Sequence, residues 1–193
     1  GGMYQNASGV NQDYGEAMRW FVKAADLGDR DSMTSIGFLY ERGLGVAPDD
    51  REAAVWYRKA ANLGEDIGMT NIGLLLQYGR GVNQDYAESM FWYRKAADLG
   101  NADALNNIGA LYDAGLGVPR DPDEAASWLV KALRHGCSFT LTSMRDGGTA
   151  WQPDTRQALQ AKLRETGYYS GAIDGKIGKG TVEAIERIFN QGG

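Results

Sequence analysis

The chain has 193 residues, 43% of them apolar and 23% charged, and a net charge of −5 at neutral pH. That is ordinary for a soluble globular protein and lacks the basic stripe that a nucleic-acid partner needs. No stretch nears the ~20 apolar residues of a membrane helix, the lone Cys137 permits no internal disulfide, and the single His135 excludes a His-rich metal site.

Read in chain order, residues 1–29 form the tail of a sequence unit that recurs three more times, at 30–65, 66–101 and 102–137, without a gap. In that register Gly1 corresponds to Gly37, Tyr4 to Tyr40 and Trp20 to Trp56. The first copy lacks its opening turns, so the chain is expected to be a piece of something longer. Each copy predicts two helices joined by a glycine turn. In the first helix Met33, Ile36, Gly37 and Tyr40 share one face, repeated by Ile72, Gly73 and Leu76 and by Ile108, Gly109 and Tyr112. The glycine pairs 43 and 45, 79 and 81, and 115 and 117 then end that helix.

The second helix is announced by its cap. Asp13, Asp49, Asp85 and Asp121 are each followed three residues later by Glu16, Glu52, Glu88 and Glu124, the pattern of a reciprocal capping box. Pro122 suits a first helical position. Trp20, Trp56, Trp92 and Trp128 are expected to mark the buried stripe, with Ala24, Ala60, Ala96 and Ala132 one turn on, and Gly28, Gly64, Gly100 and Gly136 as stops. The Arg-Lys pairs at 58–59 and 94–95 read as solvated charge near helix C-termini.

The shared pattern IGxLYxxGxGV, then Asp, then Ala, Trp-Tyr-x-Lys-Ala-Ala and Gly resembles the Sel1-like repeats, relatives of the tetratricopeptide repeats. The resemblance covers residues 1–137. It implies an all-α fold, a right-handed α-solenoid of helical hairpins that binds a protein or peptide partner as an adaptor. Independently, a unit this small cannot bury its own apolar face, so neighbouring copies must stack.

If the first helices line a concave side, their second stripe faces solvent: Thr34, Phe38 and Glu41; Thr70, Leu74 and Gln77; Asn106, Ala110 and Asp113. Phe38 and Leu74 rimmed by polar groups have the composition of a peptide-binding groove. The alternative is that both tuck under the neighbouring repeat.

Residues 138–153 break the repeat and read as a connector with room for one short helix. A helix is expected to start at Asp154, with Ala158, Leu159 and Leu163 inward and Gly167 as its stop. Another is expected to be capped by Thr181, with Ala184, Ile185, Ile188 and Phe189 buried. Between them lies GYYSGAIDGKIGKGT, residues 167–181. It is no phosphate loop, because Gly180 separates Lys179 from Thr181 and no strand precedes it. It is no calcium loop either, because Asp174 is its one carboxylate.

Leu159-Gln160, Leu163, Gly167-Tyr168-Tyr169, Gly171, Ile173-Asp174-Gly175, Gly178, Thr181 and Ala184-Ile185 are similar to the peptidoglycan-binding module found beside many cell-wall hydrolases. This segment, 154–193, departs from the family in having Ile188-Phe189 where Phe-Gln is usual and in ending before a third helix. Wall binding is then either weakened or replaced by a role as a structural cap. Tyr168 and Tyr169 are the aromatic candidates for a sugar ring or stem peptide, and Lys176 and Lys179 the candidates for its carboxylates. Asp174 and Thr181 belong to the same candidate site, with shaping the turn as their alternative.

Together these features describe a non-enzymatic scaffold or localisation factor with no cofactor and no metal. Its partners are a protein or peptide on the solenoid and the bacterial cell wall on the C-terminal module. The expected location is periplasmic, joined to the inner membrane only through a missing N-terminal part. The domain order resembles that of bacterial polar localisation factors. Two alternatives remain: a targeting region of a wall hydrolase, and a cytoplasmic adaptor whose C-terminal module is degenerate.

Overall fold

The computed structural model describes Gly2 and residues 12–192, so the expected counterparts Gly1 and Tyr4 lie outside the described residues. Among the described residues the chain is all-α, with no strand: helical hairpins of an α-solenoid followed by a small helical module. It divides into two compact units, Gly1–Ala96 and Ala97–Gly193. The first carries α1 (Tyr14–Asp26), α2 (Arg30–Arg42), α3 (Asp50–Asn62), α4 (Asp66–Tyr78) and nearly all of α5 (Tyr86–Asp98). The second carries α6 (Ala102–Ala114), α7 (Pro122–Arg134), α8 (Ser138–Arg145), α9 (Pro153–Glu165) and α10 (Lys179–Gln191).

The aspartate caps form as expected. Asp13, Asp49, Asp85 and Asp121 accept the backbone N–H groups of Glu16, Glu52, Glu88 and Glu124 at 2.8–3.2 Å. The reciprocal half of the box is not needed, because the backbone N–H groups of Asp49, Asp85 and Asp121 donate to the carbonyls of Tyr40, Leu76 and Tyr112. The glutamates are therefore free for other work: Glu16 pairs with Arg19 and Glu88 with Arg58. The first helices also have caps, at Asp29, Glu65 and Asn101.

The buried stripe of the second helices lies one residue beyond the tryptophans. It runs through Phe21, Tyr57, Tyr93 and Leu129, of which the last three have no exposed surface. Ala60, Ala96 and Ala132 are equally buried one turn on, whereas Ala24 is half-buried. Trp92 is buried, Trp56 and Trp128 are half-buried, and Trp20 is 47% exposed. Each indole is covered by the lysine three residues on, with Nζ 3.8–5.3 Å from the ring centroid. Thus Lys59 and Lys95 are ring partners rather than free charges.

The glycine of the first helix is explained by this tyrosine. A Cβ added at Gly37 would sit 2.6 Å from Tyr57 Cε1, and one at Gly73 2.5 Å from Tyr93 Cε1, well inside carbon contact distance. Each phenol then spans the hairpin: Tyr57 donates to Glu41 at 2.7 Å and Tyr93 to Gln77 at 2.8 Å. Leu39, Leu75 and Leu111, outside the expected stripe, are also buried, so the first helices bury more than one face.

In the second unit α9 and α10 both pack on α7. Leu129 and Leu133 of α7 share one core with Met144, Trp151, Leu159, Leu163, Ile185 and Ile188. The connector contains α8. Two expected starts shift: α9 follows Gln152 and opens at Pro153, while α10 opens at Lys179 after Gly178, which leaves Thr181 inside the helix and buried. Neither Asp154 nor Thr181 is an N-cap. Pro153 has no N–H to satisfy, so the helix begins there without a side-chain cap.

Candidate binding sites

The nine residues expected on an open repeat face divide by their bonding. In the first unit Thr34 donates to Glu65 at 2.6 Å, Thr70 donates to the Asp66 carbonyl at 2.9 Å, and Glu41 and Gln77 accept the two tyrosine hydroxyls. Thr70 and Gln77 are buried, so they do not face solvent. Glu41 is a charged node: burial opposes its ionised form, but the Arg80 guanidinium and the Tyr57 hydroxyl hold its carboxyl below the usual range. Burial and the neighbouring Glu41 push the Tyr57 hydroxyl far up, so it stays a neutral donor. Phe38 and Leu74 are half-buried, with the Arg42 guanidinium 5.7 Å over the Phe38 ring. Their partial exposure leaves apolar surface at these two positions.

In the second unit the same positions are turned inward. Asn106 and Asp113 are buried, and Ala110 packs against the core of the C-terminal module. Thr140 donates to Asn106 at 2.8 Å. Asp113 accepts from the Gln152 backbone N–H at 3.2 Å and from the Thr155 hydroxyl at 2.5 Å. The physical reason is one substitution. Leu129 stands where Tyr57 and Tyr93 stand in the preceding repeats, so no phenol claims the carboxylate and it fastens the module instead. The expected solvent-facing role therefore fails at Thr70, Gln77, Asn106 and Asp113. The signal that separates them, Leu129 beside Asp113, is readable only once the tyrosine's hydroxyl partner is known.

The C-terminal loop is built around Gln160, which is fully buried. Its Oε1 accepts the backbone N–H groups of Asp174 at 2.9 Å and Gly175 at 2.7 Å. Its Nε2 faces Asp174 Oδ1, the Lys176 carbonyl and Thr181 Oγ1 at 2.9–3.3 Å. Asp174 also accepts the Lys176 N–H at 2.9 Å. That bond, and next the Gln160 amide, hold the Asp174 carboxyl below its ordinary range. Thr181 thus shapes the loop from within, and Asp174, itself exposed, holds its turn. The surface it shows is different. Tyr168 and Tyr169 are half-buried, with hydroxyls donating to Gln191 and, at 2.8 Å, to the Ala172 carbonyl. Lys176 and Lys179 are exposed, and the Lys179 ammonium lies 3.9 Å from Glu183. Two partly exposed aromatic rings and two cations therefore lie on or beside one loop held rigid by a buried amide.

With both surfaces described, comparison with known proteins is decisive for the first. The Sel1 repeat matches at residues 1–29, 30–65, 67–101 and 102–137. The chain belongs to the Sel1 repeat family. The putative peptidoglycan binding domain matches at 152–188, the region organised by Gln160. No curated protein matches the sequence closely enough to be called a relative.

Among solved structures, a Sel1 repeat protein from Oxalobacter formigenes is 28% identical, with a TM-score of 0.66 over 88% of this chain and 71% of that one. The protein c5321, a protective antigen present in uropathogenic Escherichia coli strains and displaying an SLR fold, is also 28% identical. Its TM-score is 0.67 over 98% of this chain and 44% of its own, so this chain spans under half its length. Cysteine-rich protein B of Helicobacter pylori, 23% identical with a TM-score of 0.53, shares the fold. Sel1 repeats point to a protein partner and the second domain to peptidoglycan.

Proposed function

We propose that this Sel1 repeat protein is a non-catalytic connector that holds a protein or peptide partner on its repeats and the bacterial cell wall on its C-terminal module. The observation that carries the reading is the division of labour in the 167–181 loop. Gln160 and Thr181 are buried and bond to each other and, through Gln160, to Asp174 at the turn, while Tyr168, Tyr169, Lys176 and Lys179 are left at the surface with the chemistry for a sugar ring and a stem-peptide carboxylate. Phe38 and Leu74 supply the accessible apolar contact of the repeat face.

Glu41, Glu88, Asp154 and Asp174 are each held below the ordinary carboxyl range by a bonding partner, the reverse of what a glycosidase acid needs. The order of repeats and wall module resembles the periplasmic region of PodJ, a polar localisation factor of alphaproteobacteria. On that resemblance we place the protein in the periplasm and assign it a role in cell polarity.

Co-sedimentation of the whole chain with purified sacculi tests the wall half. Wild type is expected in the pellet, and Lys176→Glu/Lys179→Glu in the supernatant with an unchanged melting curve. Equal distribution of both proteins defeats it. A clearing band in a zymogram of the same sacculi defeats the non-catalytic reading.

A further inference from the structure

A groove on α3 is used by neither surface described above. Ala54 and Val55 form its floor with Val82, from the turn after α4, and Arg51, Arg58 and Lys59 stand at its rim. It encloses about 410 Å³, and Val55 is 47% exposed within it. The groove exists because that turn is seated directly on the start of α3. Gly81 has φ +65°, and a Cβ on it would lie 2.2 Å from the Asp50 carbonyl carbon.

The rim is cationic in a protein whose net charge is −5. Arg58 is met by Glu88, and Lys59 lies 3.9 Å over its own Trp56 ring. The Arg51 guanidinium has no acidic partner among the described residues. Asn62 closes the far end. Comparison along the repeat shows that this charge balance is local. The places of Arg51 are Gly15, Ala87 and Asp123 in the other copies, and those of Asn62 include Asp26 and Asp98. Here alone a base has been added where others have none, and the acid carried by two of the other copies has been removed.

We propose that this groove takes an acidic, apolar peptide segment of a partner protein. An aliphatic or aromatic side chain sits against Val55 and Val82, and a neighbouring carboxylate meets Arg51. Charge complementarity selects that occupant over a basic one. The proposal deepens the reading of the repeats as protein-binding and rests on it.

The test uses a positional-scanning library of acetylated, amidated octapeptides on the immobilised whole chain. The comparison is with Arg51→Ala/Asn62→Asp, which installs residues the other repeats carry at these places and so keeps the hairpin. Wild type is expected to retain peptides with Asp or Glu beside Leu, Ile or Phe, and the variant to retain them about tenfold less. The amide signals of Val55 and Val82 should shift on adding the best of these peptides. Equal retention by the variant, or shifts confined to other residues, overturns the groove while leaving the repeats a peptide binder. Retention of no peptide of any composition overturns both.

Discussion

Gly73→Ala is a one-carbon perturbation that reports directly on how the hairpins pack. The new methyl would lie 2.5 Å from Tyr93 Cε1 and 2.8 Å from Cδ1. Ordinary carbon contacts are about 3.5–4.0 Å, so the ring must retreat by roughly 1 Å. Overpacking of this kind costs about 1–3 kcal/mol, and displacing the Tyr93–Gln77 bond adds about 1 kcal/mol. Replacing a mid-helix glycine by alanine returns about 1 kcal/mol. The net expectation is a loss of about 1–3 kcal/mol, taking these three contributions together.

Gly109→Ala is the internal control. Its nearest neighbours are the Ala125 carbonyl oxygen at 3.3 Å and Trp128 Cβ at 3.5 Å, because Leu129 replaces the tyrosine. It is expected to change stability by no more than about 0.5 kcal/mol, the gain in helix propensity offsetting mild crowding. Guanidinium titrations followed by far-ultraviolet circular dichroism measure both. In the double variant Gly73→Ala/Tyr93→Leu, the two losses should be less than additive by about 1 kcal/mol or more, as for groups in contact. Equal effects of the two glycine substitutions, or strict additivity in the double variant, refute the reasoning.

Three further outcomes follow from the same contacts. Glu41→Gln imitates the Gln77–Tyr93 pair of the next repeat. The ionised Glu41 contributes stability above its unfolded-state pKa, and this is lost as pH falls through its lowered folded value; the variant should therefore lose less melting temperature than wild type between neutral and strongly acidic pH, and an equal loss would count against the Arg80 and Tyr57 contacts. Gln160→Leu strands the Asp174 and Gly175 amides, each at a cost of about 1–3 kcal/mol, and should speed their hydrogen exchange at least about tenfold while α9 stays protected; unchanged exchange contradicts the clamp. Thr155→Val removes the hydroxyl bond to the Asp113 carboxylate and should lower stability by about 1.5–3 kcal/mol in denaturant titrations, with no loss if Asp113 does not fasten the module.

The hairpins were legible because their signals are local. A cap, a stop and a helical period sit within one copy and recur in the next. The tryptophans misled by one position, since bulk alone does not say which of two adjacent aromatics faces inward; the facing glycines 37 and 73, which admit only a ring laid flat against the backbone, mark the tyrosine instead. The repeat face was harder. Whether Glu41, Gln77 and Asp113 meet solvent depends on the residue sixteen places later, and the hydrophobic period does not encode that pairing. In the C-terminal loop the family resemblance pointed to one stretch of residues, and the burial of Gln160 and Thr181 separates those that build the loop from those it displays. The tightness of the module's hold on α7 also means that cutting the chain near residue 150 would expose Leu129 and Leu133, so point variants in the whole chain are the sounder probes.

The central claim is that the loop between α9 and α10 meets the cell wall while the repeats stay free for a protein. Amide chemical-shift mapping of the whole chain against soluble muropeptides tests it most directly. The account predicts shifts at Tyr168, Tyr169, Lys176 and Lys179, with α2, α3 and α4 unmoved. A spectrum unchanged by saturating muropeptide, or one perturbed only in those repeat helices, contradicts it.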